Sequence, residues 1–407
     1  MLHANAVLVL NAGSSSLKFS VIRQLARSRG VSGLEAVISG QISGIGTEPT
    51  FEALDERRKV LARYSWPVSR RPDRYEFLRF LLDWISMFPG ELKLVAAGHR
   101  VVHGGTRFSA PVRLTPAVTC ELEALAPLAP LHQPHNVAAI KALAKVYPEL
   151  PQVACFDTAF HQTQPWQAQT FALPRELTQE GVRRYGFHGL SYEYIAQRLP
   201  QVAPELADAR VVVCHLGSGA SLCAMRAGKS QDTTMGFTAL DGVPMGTRPG
   251  SLDPGVLIYL MREKGMDADA LEELLYRQSG LLGVSGISND MRDLLESETP
   301  AAAQAVELFC HGVVKQVAAL AASMGGLDAV VFTAGVGEHS APVRARVAAK
   351  LGWLGVALDG AANRANATRI SAPDSHIPAF VIPTDEERMI ASHTFDVLIP
   401  SAQERAV

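Results

Sequence analysis

LVLNAGSSSLKFSV, residues 8–21, is an apolar run that stops at Asn11, turns through glycine and serines, and resumes as a second apolar stretch. A strand, a tight turn of phosphate-binding type and a returning strand account for that pattern. It recurs at residues 212–225, VVCHLGSGASLCAM, once a single inserted residue is allowed. Two domains, each opened by such a β-turn-β unit and facing each other across a cleft, are the expectation. Chance similarity between two Gly/Ser hairpins is the competing account.

Outward from these hairpins, short apolar runs repeatedly end in polar tips. Residues 94–97 precede Gly98-His99-Arg100, and 152–156 precede Asp157-Thr158. Residues 329–332 precede Thr333-Ala-Gly-Val-Gly-Glu338, and 379–382 precede Pro383-Thr-Asp-Glu-Glu387. Helical stretches at 121–126, 137–146, 271–276 and 301–323 lie between them, so the chain reads as alternating α/β. In such sheets ligands collect at the carboxyl ends of strands.

The 407 residues suffice for two or three domains with sizeable cores. The 38 basic and 40 acidic side chains leave a formal charge of −2, which argues against nucleic acid as the main partner. Five cysteines, Cys120, Cys155, Cys214, Cys223 and Cys310, form no C-x-x-C pair and fit a reducing cytoplasm. The start has no basic region and only a four-residue apolar run at 7–10, so no signal peptide is expected. The most apolar window, 317–337, is interrupted by Gly325, Gly326 and Asp328 and divides into a helix end and a buried strand, with no membrane partner expected.

Several nucleotide and metal motifs fail. The nearest approach to a Walker A loop, Gly228-Lys229-Ser230, has Cys223 at the first glycine position. Gly217-Ser-Gly219 and Gly335-Val-Gly337 each lack the third glycine of a dinucleotide loop. His132-Gln-Pro-His135 carries a proline that makes a helical zinc pair improbable. Three Gly-rich turns remain, near 13–16, 217–219 and 335–337, whose backbone N–H groups suit polyphosphate oxygens, with Lys18 adding a charge beside the first. Asp290-Met291-Arg292 suits ribose or adenine contacts, and equally suits a helix start capped by Asn289 or Asp290.

With these residues assembled, the sequence resembles the acetate kinase family, within the group sharing the actin, Hsp70 and sugar-kinase fold. The motifs are NAGSSSLK at 11–18, GHRVVHGG at 98–105, LAPLH at 128–132, FDTAFH at 156–161, YGFHG at 185–189, HLGSG at 215–219, MGTRPGSLDP at 245–254, SGISNDMRDL at 285–294, FTAGVGE at 332–338 and PTDEE at 383–387. The resemblance implies two ribonuclease H-like (actin-like ATPase) domains flanking a nucleotide cleft: residues 1–156 with 385–407, and residues 157–384. It implies reversible transfer of the ATP γ-phosphoryl group to acetate, giving acetyl phosphate and ADP, in a homodimer. Arg100 and Arg248 would grip the carboxylate and the moving phosphoryl group, and His188 would stabilise the transition state. Asp157 would be the catalytic acidic residue and His132 a further active-site histidine. Asn11 and Glu386 would hold Mg²⁺ or Mn²⁺. Nucleotide contacts would come from Lys18, from His215, Leu216, Gly217, Ser218 and Gly219, from Asp290, Met291 and Arg292, and from Gly335, Val336, Gly337, Glu338 and His339. Val102, Leu131, Phe187 and Ala239 would line the acyl pocket beside Arg100.

Physical chemistry favours the same division of labour. Phosphoryl transfer spreads negative charge over equatorial oxygens, so it needs held cations and donors. A carboxylate acceptor is already ionised near neutrality, so Asp157 positions a metal or the acceptor rather than removing a proton. Ser218 and His339 stand where the family usually has asparagine, and Ala239 where it usually has proline. The alternatives are a propionate or butyrate kinase and, further off, an actin-like ATPase or a sugar kinase. Finally, Thr384-Asp-Glu-Glu387 has capping-box spacing, which predicts Thr384 as N-cap and Glu387 as its reciprocal partner, leaving Glu386 for the metal.

Overall fold

The computed structural model describes residues 4–13, 15–25, 30–67, 72–87 and 92–398; Ser14 of the first turn and the expected domain end at 399–407 lie outside them. The chain divides into two compact units, Met1–Phe160 with Asp385–Val407, and His161–Thr384. The first unit continues four residues past its last long strand, so Asp157 stays with the strand that delivers it.

In the first unit the strands are β1 (Ala4–Ala12), β2 (Ser16–Gln24), β3 (Leu34–Ser43), β4 (Thr50–Asp55), β5 (Val60–Ser65), β6 (Leu92–Val101), β7 (Val112–Arg113) and β8 (Gln152–Phe156). Their order in the sheet is β5-β4-β3-β2-β1-β6-β8-β7. The second unit has β9 (Arg210–Leu216), β10 (Ala220–Arg226), β11 (Lys229–Thr233), β12 (Ala329–Thr333) and β13 (Ala379–Val381), in the order β11-β10-β9-β12-β13. In each unit the opening strand pairs antiparallel with the next and parallel with a later crossover strand, β1 with β2 and β6, β9 with β10 and β12. Both sheets thus carry the ribonuclease H-like 3-2-1-4-5 order at their centre, and the sequence repeat is a repeat of structure.

The hairpins form where the pattern placed them. Asn11 faces Lys18 across β1–β2, and Leu216 faces Ala220 across β9–β10. Behind the first sheet the helix Arg74–Ser86 begins with a reciprocal Asp73–Glu76 capping box and packs Phe77, Leu78, Leu81 and Leu82 into the core. Phe51 and Phe19 stack in that core with ring centroids 5.8 Å apart. The helix Pro300–Ser323, capped by Thr299 with proline in its first turn, buries Phe309, Cys310, Val313 and Val317 in the second unit. It is long and apolar enough by composition to cross a membrane, but such a helix equally serves as the core helix of a globular unit. All five cysteines are free thiols, with Cys120 alone exposed.

Three buried imidazoles set a pH limit on the fold. Burial lowers His99, His103 and His161 each to about 4, opposed at His99 by its bond to Gln152 and at His161 by the Phe187 carbonyl. The folded chain therefore binds these protons more weakly than the unfolded chain. Stability is intact above the ordinary value near 6.5 and drains away as pH falls from there toward 4. Each fully buried ring is expected to withdraw on the order of 3 kcal/mol across that window, and thermal unfolding from neutral to acidic pH checks it. A flat melting temperature over the window would contradict these environments.

Candidate active site

Three neighbouring parallel strands of the first unit end side by side. β1 delivers Asn11, β6 delivers Arg100, and Asp157 follows β8, with Leu10 opposite His99 and Arg100 opposite Cys155 in the ladder. Arg100 donates to both oxygens of Asp157, Nη2 at 2.6 Å and Nε at 3.0 Å, and its Nη1 lies 3.4 Å from the Asn11 amide oxygen. The Glu386 carboxylate lies 3.9 Å from Arg100 Nε. Burial alone would make the guanidinium easier to deprotonate, but Asp157 and Glu386 outweigh that, raising its pKa. Asp157 is 2% exposed on its side chain, Arg100 21% and Glu386 20%, so the pair reaches the surface through the arginine.

Glycine places Glu386. It opens the helix Glu386–Leu398, which lies so close to β6 that a Cβ on Gly98 would meet Thr394 Oγ1 at 2.3 Å and Ile390 Cγ2 at 2.6 Å. Only a bare backbone there lets the helix start beside Arg100. The capping box expected at this start is corrected by the structure. Asp385 is the cap, its carboxylate accepting from Arg388 N at 2.8 Å, while the Thr384 hydroxyl bonds Ser191 at 2.8 Å. Glu387 instead accepts from Ser20 on β2, and burial raises its carboxyl pKa. The helix starts one residue later than the spacing suggested, because an aspartate competed with the threonine for the cap.

Sequence reasoning missed the braces. Asn136 accepts from Val102 N at 3.1 Å and donates to Ala12 O at 2.7 Å, tying the ends of β1 and β6 together. Gln133 clamps His103 from the same helix, Gln133–Val146, accepting from its N–H and donating to its carbonyl. Two fully buried amides three residues apart on an otherwise core-facing helix were the available signal. His132 is the N-cap residue of that helix, and Lys18 is exposed on β2. Val102 is buried and Leu131 half-buried in this unit.

In the second unit, His188 caps the helix Gly189–Val202 with φ 57°, in the left-handed region. Its Nδ1 lies 2.8 Å from Ser221 Oγ, and its ring stacks on His215 with centroids 4.2 Å apart. His215 Nδ1 in turn lies 2.8 Å from Ser191 Oγ. Arg248 donates through Nη1 to the carbonyl of Ala239 at 2.7 Å. A Cβ on Gly219 would sit 2.5 Å from Arg248 Nη2 and 3.5 Å from His188 Nε2, so both groups address the HLGSG turn and a side chain there would push the guanidinium aside. Phe187, before the histidine, is buried and its carbonyl bonds His161 Nε2 at 2.9 Å.

A cavity of about 670 Å³ adjoins that turn, in the size range of small-molecule sites. Of the residues named above for nucleotide contact, Gly217, Ser218, Asp290, Met291, Arg292, Gly335, Val336 and His339 line it; Leu281, Phe309 and Ser340 line it too and were not anticipated. Leu216 and His215, at the end of β9, are not among the residues that line it. Asp290 caps the helix Met291–Glu296 and also lines the cavity, so its place at the helix start does not remove it from the cavity wall. Gly337 and Glu338 do not line it. Arg344, fully buried, donates to both their carbonyls at 2.8 and 2.9 Å, and the Glu338 carboxylate accepts from Ala334 N at 2.8 Å and Thr384 N at 3.1 Å.

A family model described as the acetokinase family matches residues 6–392. The chain belongs to that family. It is similar to an acetate kinase of Rhodopseudomonas palustris (strain ATCC BAA-98 / CGA009), 54% identical over 395 residues that cover 96% of this chain and 98% of that one. Among solved structures it is similar to a propionate kinase from Francisella tularensis subsp. tularensis SCHU S4, with TM-score 0.88, 36% identity and coverage of 96% and 98%. It is also similar to the acetate kinase of Porphyromonas gingivalis, with TM-score 0.86, 36% identity and coverage of 97% and 100%. Among the described residues of this acetokinase, no cluster of three or more His, Cys, Asp or Glu could hold a metal. The Asn11 amide at the end of β1 and the Glu386 carboxylate at the start of its helix are oxygen donors of the kind that suits Mg²⁺, which keeps waters and substrate phosphates as its other ligands.

Proposed function

We propose that this acetokinase transfers the γ-phosphoryl group of ATP reversibly to acetate, yielding acetyl phosphate and ADP. The observation that carries this reading is the Arg100–Asp157 pair at the ends of parallel strands, with Asn11 and Glu386 beside it. An acetate oxygen forms the new bond to phosphorus as the bond to the ADP oxygen breaks, and ADP leaves with that electron pair. No proton moves, so no base is needed, and an aspartate held in a two-point ion pair suits orientation of Arg100 better than proton abstraction. Arg100 orients the acid; Arg248 and His188 supply donors to the phosphoryl oxygens; the cavity beside Gly217 and Asp290 takes the nucleotide. Asn11 and Glu386 would hold Mg²⁺ or Mn²⁺, which neutralises phosphate charge.

Propionate is the second reading, favoured by the similarity to the Francisella tularensis propionate kinase structure and by the small Ala239. Each added methylene is worth about 0.8 kcal/mol where it can be buried and costs about 1–3 kcal/mol where it overpacks. Trapping acyl phosphate as hydroxamate from acetate, propionate and butyrate, with ATP and with or without Mg²⁺, tests both. Metal-dependent product from acetate and propionate, falling at butyrate, is expected; phosphorylation of glucose or glycerol in their place would refute the reading.

The homodimer finds support in the helix Pro254–Glu263, which buries none of its residues and exposes Val256, Ile258, Tyr259 and Met261. A second copy of the chain would cover that face. The free thiols suit a reducing cytoplasm.

A further inference from the structure

We infer that Tyr192 and Ser221 are positioning residues that fix the tautomer of His188, an inference that rests on the role proposed for His188 above. Ser221, on β10 and fully buried, has the His188 Nδ1 at 2.8 Å on one side and the fully buried Tyr192 hydroxyl at 2.5 Å on the other. Tyr192 stands one turn into the helix that His188 caps, so cap and phenol ride on one rigid element.

Direction follows from acidity. A phenol is a far stronger acid than an aliphatic alcohol, so the short contact is donated by Tyr192 and accepted by Ser221. Ser221 has one proton and gives it to Nδ1. In a neutral imidazole the ring proton then sits on Nε2. Nε2 is the nitrogen that faces Gly219 together with Arg248 Nη2. The relay therefore presents a hydrogen-bond donor on the same side as the guanidinium, where charge on phosphoryl oxygens grows during transfer. The opposite tautomer would turn a lone pair toward those oxygens and repel them, so two hydroxyls remote from the reacting atoms determine the sign of the His188 interaction. Stacking on His215, itself anchored to Ser191, holds the ring plane while the relay sets its proton.

The test uses the full chain with ¹⁵N-labelled histidine, the His188 signals being identified by their loss in His188→Gln. Wild type is expected to show a protonated Nε2 and an unprotonated Nδ1. Tyr192→Phe is expected to mix the tautomers and lower kcat about tenfold, the rate equivalent of one neutral hydrogen bond, with KM for ATP and acetate nearly unchanged. Ser221→Ala should do the same, and Ser221→Thr, which keeps the hydroxyl, should restore both signals and rate. An Nδ1-protonated His188 in wild type, or a Tyr192→Phe chain with wild-type tautomer and kcat, overturns the inference. If His188→Gln itself keeps full kcat, the catalytic reading of His188 falls and takes the relay's purpose with it; the tautomer signals tell that failure from a failure of the relay.

Discussion

The Arg100→Ala variant is expected to lose at least about 10²-fold in kcat/KM for the acid and, as a separate effect, about 3 kcal/mol of stability. The first loss comes from removing the charge-assisted grip on the carboxylate. The second comes from Asp157, whose buried side chain would keep its charge without the two bonds at 2.6 and 3.0 Å that now satisfy it. The two effects separate in a double variant. Arg100→Met with Asp157→Asn leaves no orphaned charge, so thermal unfolding should return most of the way to wild type while acid use stays lost. KM for ATP should hardly move in either, because the residues lining the cavity proposed for the nucleotide belong to the other unit. A collapse of ATP affinity in Arg100→Ala would mean that Arg100 serves the nucleotide and not the acid. Full recovery of acid use in the double variant would show that Arg100 acts on the fold alone.

What could be read beforehand divides along a physical line. The hairpins at 8–21 and 212–225 were legible because an apolar run, a Gly/Ser turn and a polar tip are local properties, and the Asn11–Lys18 pairing in one unit and the Leu216–Ala220 pairing in the other form where they place them. The Gly-rich turns were legible for the same reason. The braces were not. Ser221 sits inside an apolar strand, Tyr192 and Arg344 inside helices, and nothing in their neighbours along the chain marks them. Their partners lie far off in sequence: Tyr192 meets Ser221 across 29 positions, and Arg344 meets Asn363 across 19. Phe309 and Leu281 were missed as cavity walls because an apolar residue facing a ligand and one facing the core look alike in a helix pattern. At residue 384 the local rule was applied properly and lost to a tertiary contact. The Thr384 hydroxyl was taken by Ser191, 193 positions away, and the cap passed to Asp385.

That shift sharpens what the two adjacent glutamates should do when replaced. Glu386→Ala is expected to cost about 10²-fold or more in kcat and to raise the Mg²⁺ requirement, the scale of lost electrostatic stabilisation at a metal. Its melting temperature should hold, since its carboxylate stands 3.9 Å from Arg100 and a fifth exposed. Glu387 carries the opposite signature. It is the acceptor for Ser20, whose side chain is fully buried on β2, so Glu387→Ala leaves a hydroxyl unsatisfied at a cost of about 1–3 kcal/mol. Glu387→Gln keeps an acceptor oxygen and removes a carboxylate that burial already disfavours in its charged form, so it should be at least as stable as wild type. Both Glu387 variants should retain most of kcat. Asp385→Ala completes the set, losing the cap and about 0.5–2 kcal/mol without the rate penalty of Glu386→Ala. Thermal unfolding and Mg²⁺ titration of the four variants distinguish the roles, because an anchor moves the melting temperature and a metal ligand moves the titration midpoint. Should Glu387→Gln shift the Mg²⁺ midpoint while Glu386→Ala does not, the ligand is Glu387, and its bond to Ser20 must break when the ion binds.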